Sequence, residues 1–197
     1  MRRACFRVNF QRVVILSRLV PYKRIDVAVK ACTQRKKRLL VIGDGPDRRA
    51  LEAVAGPCVQ FLGRVSDQQV EYHVARCRAL LFPGEEDFGM APLEVAAAGR
   101  PTIAFRAGGA LETIVENSTG LFFDQQTPEA LGDAIETFER QQWSPLVLRQ
   151  HAKGFGVPVF QDRFRSFLQR VGVPLAAAEP LARAPRAFAA AAGGRVS

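Results

Sequence analysis

Two carboxylates, Glu86 and Glu94, stand eight positions apart across a Phe-Gly turn and a proline in Gly84-Glu85-Glu86-Asp87-Phe88-Gly89-Met90-Ala91-Pro92-Leu93-Glu94. The run lies where an apolar stretch, Ala79–Phe82, gives way to a helical pattern from Leu93 to Ala98. A strand end, a glycine turn and a helix N-terminus together make an anion site, because the first helical N–H groups have no partner and the helix dipole favours negative charge there. Pro92 suits the first turn, which leaves the amides of Gly89, Met90 and their neighbours, Ala91 among them, free for a phosphate. A carboxylate accepts two hydrogen bonds from vicinal hydroxyls. Glu94 can thus hold a ribose and Glu86 a second sugar, on either side of a bound diphosphate. Competing readings exist. Glu94 can instead serve its helix terminus, and Glu85, Glu86 and Asp87 can form a solvated acidic loop, the preferred reading for Glu85 and Asp87. A metal on this trio would lack a complementary cluster elsewhere.

The elements that must position these residues alternate with little interruption. Val13–Leu16, Leu39–Ile42, Val59–Leu62, Ala79–Phe82, Thr102–Phe105 and Gly120–Phe123 are short apolar runs without polar alternation. Such strands are buried on both faces, hence parallel and sandwiched by helices. Between them, helical patterns cover Ile25–Cys32, Asp47–Ala55, Ser66 to about Cys77, Leu93–Ala98 and Leu111–Val115, and Thr127-Pro128-Glu129 opens a helix to about Arg140. The expected fold class is α/β: a single Rossmann-like, doubly wound parallel sheet of about six strands with helices on both faces. Ser144–Lys153 and Val159–Val171 read as two more helices packing outside.

In an open parallel sheet, ligands lie beyond the carboxyl ends of the strands. Ser17-Arg18-Leu19-Val20-Pro21-Tyr22-Lys23-Arg24 follows the first strand. Arg18 and Lys23 can converge on one diphosphate, the arginine as a planar fork and the lysine as a point charge. By themselves they are equally two solvated cations. Gly43-Asp44-Gly45-Pro46 follows the second strand and offers either backbone freedom near a ligand or an ordinary tight turn. Gly63-Arg64-Val65 can present backbone groups to a base edge, and Gly108-Gly109 is consistent with close approach to a phosphate.

The composition bounds the function classes. The 197 residues suffice for one full-sized core. No apolar run of about 18 residues is present to span a membrane, and the basic N-terminus lacks the apolar stretch of a secretion signal. Cys5, Cys32, Cys58 and Cys77 show no metal spacing and read as free thiols in a reducing cytosol. The net charge of +9 invites phosphates, whether on a nucleotide, a lipid head group or a nucleic acid. No RNA-binding aromatic motif, zinc finger or helix-turn-helix accompanies it, which argues against nucleic acid. Three segments result: an N-terminal extension (1–12), a Rossmann-like domain (13–172), and an Ala-, Pro- and Arg-rich tail (173–197) with too little to bury, expected to be disordered.

Taken in order, these motifs resemble the C-terminal, donor-binding half of retaining GT-B glycosyltransferases of family 4. The resemblance rests on Ser17–Lys23, Gly43–Pro46, Phe61-Leu62-Gly63-Arg64-Val65, the Glu86-to-Glu94 spacing, Gly108-Gly109-Ala110-Leu111-Glu112-Thr113 and Thr119-Gly120-Leu121-Phe122. It covers roughly residues 13–171, and Gly84–Gly89 with Gly109–Thr113 looks most like bacterial mannosyltransferase-like members. It implies that Arg18 and Lys23 bind the donor diphosphate and stabilise its departure, and that Glu94 binds the ribose. It also implies that Glu86 and the Phe88-Gly89-Met90 backbone meet the transferred sugar and phosphate. Glycosyl transfer by the family proceeds with retention and without a metal or other cofactor, so the expected partners are a nucleotide-diphosphate sugar, GDP-mannose for choice, and a glycan or lipid-linked acceptor. Full-length members carry an N-terminal acceptor domain. Only about a dozen residues precede the first strand here, so the expectation is a donor domain incomplete without an acceptor domain on a separate or missing chain. A binding module acting with a partner chain, and an inactive remnant, are the alternatives. The expected location is the cytoplasm, with contact at the inner face of the membrane left open. Neither His73 nor His151 follows a strand, and both read as surface or packing residues.

Overall fold

The computed structural model describes residues 12–173. The extension expected at the N-terminus and the tail after Val173 lie outside the described residues, except that Arg12 already belongs to the first strand. The strands are β1 (Arg12–Leu16), β2 (Arg38–Ile42), β3 (Val59–Gly63), β4 (Leu80–Phe82), β5 (Thr102–Phe105) and β6 (Gly120–Phe123). They form one six-stranded sheet in the order β3-β2-β1-β4-β5-β6, with every pairing parallel. The expected α/β, Rossmann-like fold is thus present.

Because side chains alternate along a strand, the sheet feeds two separate cores. Val13, Ile15, Leu39, Val41, Leu81, Ile103 and Leu121 point to the face covered by α1 (Ile25–Gln34), α2 (Arg48–Val54) and α6 (Pro128–Glu139), where Val27, Leu51, Leu131, Ile135 and Phe138 meet them. Val14, Leu80, Phe82 and Ala104 point to the other face, against α3 (Asp67–Ala75), α4 (Met90–Ala97) and α5 (Ala110–Thr113), through Val74, Val95 and Ala110. Burial on both faces is why these strands read as continuous apolar runs. Cys32 and Cys77 sit inside the two cores, where burial pushes both thiols up to about 12 and keeps them unreactive. They and Cys58 are free.

Helix starts follow their local chemistry. Ser66 and Gln69 form a reciprocal capping box at α3. Thr127 accepts from the Ala130 N–H and Pro128 occupies the first turn of α6, and α7 (Pro145–Lys153) repeats the device with Ser144 and Pro145. Two starts differ from expectation by two residues or more. The helix α4 begins at Met90 rather than Leu93, because Gly89 adopts a left-handed φ of 78° and turns the chain directly into the helix. The last helix, α8, covers Val157–Arg170, two residues earlier than expected, since Pro158 fits its first turn.

The outer helices also differ in what they bury. As expected, α7 packs outside, against α4, and buries Leu148. By contrast, α8 has no buried residue, and its stripe of Val157, Phe160, Phe164 and Phe167 remains exposed, with Phe160 at 64%. No described helix is long and apolar enough to cross a membrane.

This division predicts opposite responses to truncation. Leu131→Ala, in the larger core, should cost about 2–5 kcal/mol, whereas Phe164→Ser should change stability by no more than about 0.5 kcal/mol. Urea unfolding of the two variants checks both values.

Candidate functional site

The chain leaves β1 toward β2 on one side and leaves β4 toward β5 on the other, so the loops after these neighbouring strands diverge. The crevice between them is where open α/β sheets bind ligands. It is a cleft of about 720 Å3. Ser17, Arg18, Tyr22 and Lys23 line it from the β1 side, and Glu85 to Ala91 together with Glu94 line it from the β4 side. A smaller recess of about 280 Å3 adjoins it and contains Gly43, Asp44 and Arg64. Leu16, Ser17 and Arg18 border both, so the two form one groove across the end of β1. Of the residues singled out in the sequence, Arg18, Lys23, Glu86, Phe88, Gly89, Met90, Ala91 and Glu94 meet in the main cleft. Gly43 and Arg64 lie in the side recess, and Val65, half-buried, lines neither.

The charges within the cleft are not equivalent. The Lys23 ammonium is ion-paired with Glu86, and both side chains are largely withdrawn from water. Lys23 Nζ also stands 5.0 Å from the centre of the Tyr22 ring. Arg18 is exposed and has no ion-pair partner among the described residues. Glu94 is half-buried, its carboxylate has no hydrogen-bond or ion-pair partner among the described residues, and this burial raises its pKa above the ordinary carboxylate value. Because α4 starts at Met90, Glu94 sits in the second turn rather than the first, and no side chain caps this helix. Capping is therefore not what Glu94 does. The amides of the first turn of α4 and an unpaired carboxylate both border the same cleft. Glu85 and Asp87 are exposed, as a solvated loop requires.

The glycines after the strands serve the protein's own backbone. At Gly43, with φ 129°, a Cβ would fall 1.9 Å from the Ser17 carbonyl oxygen, so the β2 loop lies directly on the β1 loop. Gly109 is equally confined: its N–H donates to the Glu86 carbonyl at 2.7 Å, and a Cβ there would lie 2.4 Å from Phe88. Gly108-Gly109 thus braces the loop that carries Glu86 and Phe88, and neither residue lines the cleft. The histidines are structural: His73 Nδ1 pairs with the Arg12 guanidinium at 3.3 Å, and His151 Nε2 with the Thr113 carbonyl at 2.9 Å.

Sequence reasoning passed over Tyr22, an aromatic 63% exposed inside the cleft. Its signal was its place beside Lys23 in a loop already marked as a site. Arg24 and Gln126, which bond one another across the loops, carried no such signal, because 102 positions separate them.

Comparison with known proteins agrees with this fold. The pattern described as glycosyl transferases group 1 matches residues 6–155. A GDP-mannose-dependent alpha-(1-6)-phosphatidylinositol monomannoside mannosyltransferase of Mycobacterium tuberculosis is 35% identical over 141 residues, which is 62% of this chain and 37% of that protein. A GDP-mannose-dependent alpha-mannosyltransferase of the same species is 30% identical over 165 residues, 81% of this chain and 43% of the relative. The chain therefore spans less than half the length of these curated relatives. The crystal structure of Anabaena HepE in complex with UDP superposes with a TM-score of 0.71 at 22% identity, covering 82% of this chain and 49% of the other, which is a likeness of fold. With the parallel sheet, the crevice at its switch point and a family match over three quarters of its length, the chain belongs to the group 1 glycosyl transferases.

Proposed function

We propose that this domain binds a nucleotide-diphosphate sugar, with GDP-mannose the favoured donor, for retaining transfer of the sugar to a glycan or lipid-linked acceptor. The observation that carries the reading is Glu94: a half-buried carboxylate without a partner, next to the open N-terminus of α4 and across the cleft from Arg18. A group held in that state is costly to the free protein and suits a ligand that brings hydroxyl donors. The vicinal hydroxyls of a ribose are such donors.

In this reading the Arg18 fork takes diphosphate oxygens. Lys23 exchanges Glu86 for phosphate, which frees the Glu86 carboxylate to accept from a hydroxyl of the transferred sugar. The amides of Gly89, Met90 and Ala91 face the phosphate next to that sugar. The side recess with Gly43 and Arg64 takes the nucleoside end. Transfer breaks the bond between the anomeric carbon and the diphosphate oxygen, and the electron pair leaves with the diphosphate. Arg18, Lys23 and the α4 terminus stabilise that growing charge. These cations take the role a metal has in other sugar transferases, so chelators should leave donor binding unchanged. Mannose as the sugar is supported by the names of the relatives and by no contact within the cleft.

An acceptor site has to face the open side of the cleft. We place it on a further domain or a separate chain, a reading supported by the exposed phenylalanine stripe of α8 and by the fraction of the relatives' length covered here.

Calorimetry with GDP-, UDP- and ADP-sugars tests the donor site. GDP-mannose should bind, with equal affinity in EDTA, and Arg18→Ala or Lys23→Ala should weaken it about 10- to 100-fold, the range for a hydrogen bond to a charged group. A folded protein that gives no heat with any of the three at millimolar concentration would sink the proposal.

Glu94 yields a second expectation. Its folded-state pKa is raised, so ionisation favours the unfolded chain as pH climbs through the unfolded value and then the folded one. Glu94→Gln should therefore weaken GDP-mannose binding and yet raise the melting temperature of the ligand-free protein at pH 7. The gain should fade as the pH falls toward the ordinary glutamate value of 4.5. Melting curves at pH 7 and pH 4 check the sign, and a lower melting temperature at pH 7 would contradict it.

A further inference from the structure

The loops that carry Lys23 and Glu86 are joined by a residue from a third loop. Gln126 follows β6, and its side-chain amide has partners on both sides. Arg24 Nη1 donates to Gln126 Oε1 at 3.4 Å, and Arg24 Nη2 donates to the Gln126 carbonyl at 3.3 Å. The Gln126 Nε2 amide then donates to the Pro83 carbonyl at 2.9 Å.

Both attachment points sit next to the reacting groups. Arg24 directly follows Lys23 and adopts a left-handed φ of 50°, uncommon for a residue with a side chain. It ends the short 3-10 turn Pro21–Lys23 and begins α1. Its Nε bonds Asp26 at 3.2 Å, so the guanidinium is engaged on both edges. Pro83 directly precedes Gly84, where a Cβ would fall 2.7 Å from Lys23 Cα. The two loops therefore touch at Gly84 and Lys23, and Gln126 clasps that joint from behind. None of Arg24, Pro83 and Gln126 lines the cleft.

We propose that Gln126 is a positioning residue for the Lys23–Glu86 pair: through Arg24 on one side and Pro83 on the other, it sets the separation of the diphosphate cation and the sugar carboxylate. This rests on the donor-site reading above. Alanine at 126 removes the side-chain donor and acceptor together, cutting the tie to Pro83 and leaving Arg24 with the backbone carbonyl of 126 and with Asp26. Glutamate keeps the oxygen toward Arg24 but turns an acceptor toward the Pro83 carbonyl, so the joint opens on that side alone.

Two measurements decide it. In 15N-resolved NMR of the lysine ammonium groups, ligand-free protein should give a persistent Lys23 signal, assigned with Lys23→Arg and lost in Glu86→Gln. Gln126→Ala and Gln126→Glu should lose or broaden that signal while the melting temperature moves by less than about 3 °C. In calorimetry, Gln126→Ala should weaken GDP-mannose about five- to tenfold and leave guanosine, which lacks the diphosphate and the mannose, unchanged. An unaltered ammonium signal in both variants, or equal losses for guanosine and GDP-mannose, would overturn the positioning role. If the wild type binds neither ligand, the donor-site reading fails by itself, and the ammonium signal decides the role of Gln126 alone.

Discussion

At the carboxyl edge of the sheet, main chain packs on main chain, and the site depends on those contacts. The loop after β2 rests on Ser17, Gly84 after β4 rests on Lys23, and the loop after β5 rests on Glu86 and Phe88. Each approach is closer than a Cβ permits, and each is reinforced nearby by backbone hydrogen bonds such as Leu19 N–H to Asp44 O at 3.0 Å and Gly109 N–H to Glu86 O at 2.7 Å. Contacts of this kind restrain the loops against one another, the support that a site carried on loops requires. That is how a cleft made mostly of loops and one helix end can set Arg18, Lys23, Glu86 and Glu94 at defined places.

The cleft handles its charges in two ways. Lys23 and Glu86 satisfy each other in the free protein, so neither is left buried and uncompensated. Glu94 has no such partner, and its raised pKa records the cost. A diphosphate sugar would rearrange the first pair and supply hydrogen bonds to the second group. In the proposed reading the same ligand competes for one interaction and completes another. Discrimination among ligands then depends on how many of these groups a given molecule reaches at once.

The architecture beyond the cleft is uneven. Both faces of the sheet are sealed by helices with full apolar cores, and α7 is seated on α4. By contrast, α8 buries none of its residues and presents Phe160, Phe164 and Phe167 to solvent. The stability of the domain is accordingly concentrated near the sheet, and its unfilled surface lies away from it.

By itself, the sequence determined the six strands, the helices between them, their parallel pairing and the motifs after each strand. These are local matters: buried β-branched runs, Ser and Thr caps, and Pro in first turns act within a few residues of themselves. It also placed Arg18, Lys23, Glu86 and Glu94 at the strand ends, where a doubly wound sheet must gather them. Only the tertiary structure decided how these groups are spent: that Lys23 is already paired with Glu86, that Glu94 stands in the second turn of α4 and partnerless, that Gly109 braces Phe88, and that Gln126 ties Arg24 to Pro83. Those outcomes depend on which loops come within a few ångströms of each other. Sheet order sets that proximity for residues up to 102 positions apart, and no spacing along the chain encodes it.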